Sequence, residues 1–373
     1  MKGLWRMANK PIVDFEAIKN NLSNVSKPIQ VLNENAEITD QEVFDSFSDE
    51  DLVEFMKKMV WERALHEQTM NFSRQGRMGF YAPTEGEEAS EMGTVLAMKK
   101  QDYLLPAYRD VPQLIQHGAT VTEAYLWSRG HVLGNKFKAR SMMPQIIIGA
   151  AYVEAAGVGL GIKKNKEEDT IAFTYTGDGG TSQGDSYEGM NFAGAYQAPV
   201  LFIVQNNGFA ISTPRAKQTA APTLAQKAVA AGIPSVQVDG MDILACYAVA
   251  KAARDYMVAG NGPVLIETLT YRFGAHSSAG DDPKRYRTKE QEQPWFEKDP
   301  LIRLRKVLTD KGLWSEDEED KLVDEYKASF KDAIKEADNV PADKVSDMLK
   351  RTFEIPTPEM KQEIDKFEAK ESK

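Results

Sequence analysis

From about residue 146 the chain alternates between short apolar runs and longer amphipathic ones. "TIAFTYT", "PVLFIVQ", "IPSVQVDG" and "PVLIETLTYRF" are almost continuously apolar and rich in β-branched residues, so each predicts a strand covered on both faces. The intervening runs "IGAAYVEAAGVGLGIKK", "SYEGMNFAGAYQ", "TLAQKAVAAG" and "DILACYAVAKAARDYMVAG" space their apolar residues as helices do. Strands and helices in strict alternation predict an α/β fold, a parallel sheet with helices on both faces.

Before this region, "SDEDLVEFMKKMVWERALHEQTMNF" opens with Ser48 and, three positions on, Asp51, a capping pattern ahead of a helical run. "EGEEASEMGTVLAM" reads as a second helix and "DYLLPAY" as a short strand. "DVPQLIQHG" reads as a helix with Asp110 at its cap, Pro112 in its first turn and Gly118 at its stop. Residues 1–47 are polar and weakly periodic and read as an arm over the surface. The α/β domain then spans 48–299, ending in a long, mixed-charge loop over 273–299. Residues 300–373 form a C-terminal helical extension, with Ser315 and Glu318 as a second capping box.

Composition narrows the function classes. Of 373 residues 42% are hydrophobic, ordinary for a globular protein whose core needs no staples. A net charge of −10 argues against nucleic acid as the main partner, since phosphate neutralisation needs a basic surface. No apolar run is long enough to span a membrane. The single cysteine, Cys246, makes no internal disulfide and points to a reducing compartment. "MKGLWRMANK" lacks the apolar segment of a secretory signal and the arginine content of a mitochondrial one, which leaves the cytoplasm as the expected location.

The chemistry concentrates in "TYTGDGGTSQGD", where Asp178 stands among Gly177, Gly179, Gly180 and Gly184 just past a strand. Asn206 and Asn207 follow the next strand. A right-handed β–α–β crossover can set those strands side by side, so that both loops open beyond their carboxyl ends, where parallel sheets bind ligands. A carboxylate with an amide oxygen suits a hard cation such as Mg²⁺. Gly179 and Gly180 would let a diphosphate approach backbone N–H groups at the next helix. The alternative for "GDG" alone is a helix-entry turn with an Asp cap; the order strand, GDGG, helix, strand, NN favours the ligand site.

"GDGGTSQGDSYEGMNFAGAYQAPVLFIVQNN" resembles the thiamine-diphosphate motif, GDG followed about 27 residues later by NN. From "FSRQGRMGFYAP" to "YRTKE" the chain is similar to the α subunits of heteromeric pyruvate dehydrogenase E1, within the thiamine-diphosphate-dependent 2-oxo-acid dehydrogenases. The resemblance implies Mg²⁺ held by Asp178, Asn207 and the carbonyl of Phe209, and a diphosphate held by Tyr108 and Arg109 in "PAYRD". It implies that the backbone at Ile146 and Ile148 holds the aminopyrimidine, a stretch that periodicity alone reads as a buried strand or helix entry. It implies that Ile211 bends the cofactor, where the residue pattern alone reads core. Arg272 would support cofactor and loop. His276 would be an active-site loop histidine and His131 a second one at the site's mouth; read alone, loop histidines are more often simply solvated. His66 and His117 carry no expected chemistry.

The same resemblance implies a β subunit that supplies the glutamate this chain lacks, an α₂β₂ tetramer, pyruvate as substrate, and a dihydrolipoyl acetyltransferase whose lipoyl domain takes up the acetyl group. Gly157 and Gly161, four apart on one helical face, fit a subunit contact or ordinary internal packing, and the subunit contact is preferred. Glu87 stands where relatives usually carry Gln, adding negative charge near the expected cofactor entrance. Gly208, Ser278 and the basic run "GNKFKARSMMPQ" also depart from the family's usual residues. The rival readings are the α subunits of branched-chain 2-oxo-acid and acetoin dehydrogenases and, from another class, a non-catalytic Mg²⁺–diphosphate-binding regulatory subunit.

Overall fold

The computed structural model describes residues 12–20 and 27–372, so "MKGLWRMANK" lies outside the described residues. Five strands form one parallel sheet: β1 (Tyr103–Leu105), β2 (Ala172–Gly177), β3 (Val200–Asn206), β6 (Ser235–Asp239) and β7 (Val264–Leu269), in the spatial order β1-β2-β3-β7-β6. A two-residue hairpin, β4 (Phe209–Ala210) with β5 (Thr213–Pro214), stands off the end of β3.

Alternate residues along a strand face opposite ways, and here the two sets feed two cores. Phe173, Tyr175, Leu201, Ile203, Val264 and Ile266 pack with the helices Asp49–Arg74, Glu88–Leu96 and Ile243–Val258. Ala172, Val200, Phe202, Val204 and Leu265 pack on the other side against the helices Ala150–Asn165 and Gly184–Tyr196 and the 3₁₀ turn Ala225–Ala231. That covering of both faces is why β2, β3 and β7 are buried almost throughout. The edge strand β6 instead alternates buried Val236 and Val238 with half-buried Ser235, Gln237 and Asp239.

Most local signals hold. Ser48 and Asp51 form a complete capping box. Ser315 caps its helix, but the Glu318 carboxylate accepts the serine hydroxyl proton rather than its backbone N–H, so that box is half made. Asp110 precedes the helix Val111–Gln116, yet its carboxylate turns back to accept Ala107 N–H at 2.6 Å.

Two expectations are corrected. The described part of 1–47 is more than a surface arm: Val13, Phe15, Val31 and Leu32 are buried in the main core. Ile29 runs parallel to β6 and covers that exposed sheet edge. The Asp242 carboxylate accepts Val31 N–H and Leu32 N–H at 2.7 and 2.8 Å. The stretch 273–299 is a loop only at first, since Lys289–Phe296 is a helix. Leu301, Leu304, Leu308 and Trp314 of the C-terminal region join the main core, while Phe330 and Ile334 pack on Leu65 and Phe72. No described helix is long and apolar enough to cross a membrane.

Candidate active site

Adjacent pairing of β2 and β3, with Gly177 opposite Gln205, brings the turn after each strand to one end of the sheet. A cleft of about 280 Å³ opens there, lined by Asp178, Gly179, Gly180, Asn207, Phe209 and Ile211 from those turns. Tyr108, Arg109, Ile148, Glu87 and His276 close it from more distant segments.

Asp178 is 2% exposed. Gln218 Nε2 donates to its Oδ2 at 2.7 Å, and Thr181 Oγ1 donates to its carbonyl at 2.7 Å. Burial pushes its carboxyl group above the usual range, against the pull of the Gln218 hydrogen bond. A nearby cation would favour the charged form. Lys227, itself buried, donates to Thr181 O and Oγ1 at 2.8 and 2.9 Å and so braces the 178–182 turn from behind.

Two of the four glycines are sterically required. A Cβ at Gly180 would lie 1.9 Å from Thr176 Oγ1 and 2.8 Å from Ile148 Cγ2, and one at Gly179 would lie 2.6 Å from Ala210 Cβ. Gly177 and Gly184 meet nothing closer than 4.0 Å. The pair 179–180 thus lets the turn seat against Ile148 and the hairpin, beside any room it leaves for a ligand.

Both asparagines are oriented by buried acids outside the motif. Asn206 Nδ2 donates to Glu267 Oε1 at 2.7 Å, and Asn206 Oδ1 accepts Gly208 N–H at 3.2 Å. Glu267 also accepts from Ala225 N and Gln237 Nε2, so its charge is well satisfied. Asn207 Nδ2 donates to Glu87, and its Oδ1 accepts Phe209 N–H at 3.2 Å. Ile211 sits at φ 55°, a left-handed conformation that a β-branched residue rarely takes, and is half-exposed at the cleft. Reading it as core is therefore corrected, and backbone strain of this kind gathers at functional sites.

Arg109 is 8% exposed, far from a solvated cation. Its guanidinium donates to the carbonyls of Pro83 and His276 and lies 3.7 Å from Glu87 Oε2. Tyr108 packs edge-on against the His276 ring at 5.8 Å. His276 is pushed down to about 4, by burial first and then by Arg109 and Arg272, so it is a neutral imidazole near pH 7. Arg272 is fully buried; it donates to the carbonyls of Gly274 and Ile211, and its Nε has no partner among the described residues. It supports the 211 turn and the 274 loop without lining the cleft. Asp110, pushed up by burial to about 7, lines the same wall.

Two expected residues stand apart. Ile146 is 57% exposed and outside the lining that holds Ile148. His131 does not line the cleft either. Its Nδ1 accepts Leu133 N–H at 3.1 Å, and its Nε2 lies 2.9 Å from Pro341 O, so it ties the 3₁₀ turn Val132–Asn135 to the C-terminal segment. Gln218, Lys227 and Glu267 were missed from sequence. Each is a single polar residue far from the motif, and only a polar side chain inside an apolar run, as in "VLIETL", hinted at the last.

The donor set fits a hard cation beside an anion: a buried carboxylate and an amide oxygen at one side, a buried guanidinium and a neutral imidazole at the other. The Gln205 Nε2 donor, buried at the end of β3 on the cleft, has no partner among the described residues. Such an unpartnered buried donor on the cleft is what an anionic ligand site would carry.

Fold and cleft together define an α/β protein that binds its ligand beyond the carboxyl ends of adjacent parallel strands. The profile of the family described as "Dehydrogenase E1 component" matches residues 56–346. The pyruvate dehydrogenase E1 component subunit alpha of Staphylococcus aureus strain Mu50 is 52% identical over 371 residues, covering 98% of this chain and 100% of that one. Its counterpart in Staphylococcus epidermidis is 50% identical over the same proportions. The chain belongs to the dehydrogenase E1 component family.

Proposed function

We propose that this chain is the α subunit of a heteromeric pyruvate dehydrogenase E1, and that with a β subunit it decarboxylates pyruvate and passes the acetyl group to the lipoyl domain of a dihydrolipoyl acetyltransferase. The observation that carries the site is the pairing of Asp178 and Asn207 at the ends of β2 and β3, opposite a buried Arg109. The similarity in sequence to pyruvate dehydrogenase α subunits over 98% of the chain supports the substrate.

In this reading Asp178, Asn207 and the Phe209 carbonyl hold Mg²⁺, and Tyr108 and Arg109 hold the diphosphate of thiamine diphosphate. When bound, the coenzyme supplies an electron sink for decarboxylation. The chain's own residues position and shield. Arg109 offers planar donors to phosphate oxygens. Ile148 and Ile211 supply apolar walls that exclude water. His276 Nδ1, 3.3 Å from Arg109 Nη2, accepts from that guanidinium, which leaves the neutral ring's proton on Nε2, the atom from which it can donate.

The backbone at Ile146 and Ile148 would hold the aminopyrimidine, and the proton-donating glutamate is assigned to the β subunit. Met142, Met143, Ile146 and Ile147, just ahead of the cleft-lining Ile148 in the chain, are exposed apolar residues that a partner would cover. A reducing cytoplasmic setting agrees with the single, buried thiol of Cys246.

The test is the steady-state rate of the chain co-purified with its β partner on pyruvate, 3-methyl-2-oxobutanoate and acetoin. Pyruvate is expected to be the preferred substrate; activity confined to either of the others overturns the assignment.

A further inference from the structure

Glu87 touches both halves of the cleft. It sits at the N-cap of the helix Glu88–Leu96, yet its side chain makes no capping bond and instead faces the site, fully buried. One oxygen lies 3.7 Å from Arg109 Nε, on the side assigned to phosphate. Both oxygens receive Asn207 Nδ2, at 3.3 and 3.4 Å, on the side assigned to the cation. A buried carboxylate costs several kcal/mol unless opposite charge and hydrogen bonds offset it. Here the offsetting groups are the ones the ligand would use.

Two buried carboxylates, Glu87 and Asp178, share the cleft with buried Arg109. Arg272 is buried nearby without lining it, and Asp110 on the same wall is pushed up by burial to about 7. Metal-free diphosphate arriving alone would meet two carboxylates in a low-dielectric cleft, and a cation arriving alone would meet the Arg109 guanidinium and the field of buried Arg272. Only the pair arrives without a large charge imbalance. Resting on the functional reading above, we propose that Glu87 is a positioning residue that couples the two halves, tying Arg109 to Asn207 so that diphosphate and divalent cation bind together. Its amide contact leaves Asn207 Oδ1 on the side of the 207–209 turn, where Phe209 N–H already holds it.

Two substitutions separate charge from shape. Glu87→Gln keeps the volume and one acceptor but removes the negative charge; Glu87→Met keeps the volume alone. With the α/β complex, inorganic pyrophosphate is titrated calorimetrically with and without Mg²⁺, which reads the factor by which the metal tightens pyrophosphate.

In Glu87→Gln, metal-free pyrophosphate is expected to bind about tenfold tighter and the Mg²⁺ factor to shrink about tenfold, within the usual range of coupling between sites. Glu87→Met is expected to shrink the factor as well and to weaken the Mg²⁺-dependent affinity, because the Asn207 amide loses its anchor.

A Mg²⁺ factor within twofold of wild type in both variants overturns the proposal. Equal weakening in both conditions, the mark of structural damage alone, leaves the factor unchanged and counts against it too. If the unsubstituted complex binds no pyrophosphate with or without Mg²⁺, the ligand site itself falls, and the coupling with it.

Discussion

His276 shows how one side chain reports on its surroundings. Burial, Arg109 and Arg272 hold its imidazole down to about 4, and only Asp281 pulls the other way. An unfolded histidine takes its proton near 6.5. Between pH 6.5 and 4, therefore, the unfolded chain gains a proton that the folded cleft refuses, and stability falls as pH falls through that window. Replacing His276 with Asn removes this contribution. Denaturant unfolding of wild type and His276→Asn at pH 7.5 and pH 5 is expected to show the smaller acid-induced loss in the variant. Equal losses would mean that the ring already exchanges its proton freely with solvent.

The GDGG turn works as a small assembly, and its glycines divide by contact. Gly180→Ala must push a methyl group into Thr176 and Ile148, so a loss of about 1–3 kcal/mol is expected in chemical denaturation, together with weakened cofactor binding. Gly184→Ala, at the open start of the helix Gly184–Tyr196, is expected to be neutral or to stabilise by about 0.4–1 kcal/mol. Similar losses at both positions would refute the packing role given to Gly180.

This contrast marks what was legible in sequence. The five strands were, because continuous apolar runs between helical periods leave few alternatives, and so was the Ser48 box, whose partners lie three residues apart. The helix Lys289–Phe296 was hidden by Pro294 and a charged surround. The anchoring of 12–20 and 27–47 was hidden because Val13, Phe15, Val31 and Leu32 are scattered without period. In the site, Asp178 and Asn207 announced themselves by local motif. The bracing by Gln218, Lys227, Glu267 and Glu87 depends on contacts across 40 to 120 positions, which no local pattern encodes.

For the assembled protein, the helix Ala150–Asn165 is the informative surface. Its inner side packs in the second core, while a methyl group added at Gly157 or Gly161 would meet nothing within 4 Å, and Val153 on the same helix is 42% exposed. Internal packing, one of the two readings of those glycines, is thereby set aside within this chain. A bulky residue should cost the fold little and obstruct a close-approaching partner helix. Gly157→Phe is expected to leave the melting temperature of the chain within a few degrees of wild type. It is expected to reduce recovery of the tetramer with the β subunit in size-exclusion chromatography with light scattering. Full tetramer recovery would move the subunit contact to another face.

The functional reading depends on Asp178 and Asn207 gripping a divalent cation and, through it, a diphosphate. The most direct test is calorimetric titration of the α/β complex with thiamine diphosphate, with and without Mg²⁺, comparing wild type and Asp178→Ala, with circular dichroism as a check on folding. A folded Asp178→Ala complex should bind at least about 100-fold more weakly in Mg²⁺ and lose the metal dependence. Wild-type affinity with the metal dependence intact would contradict the assignment of this cleft.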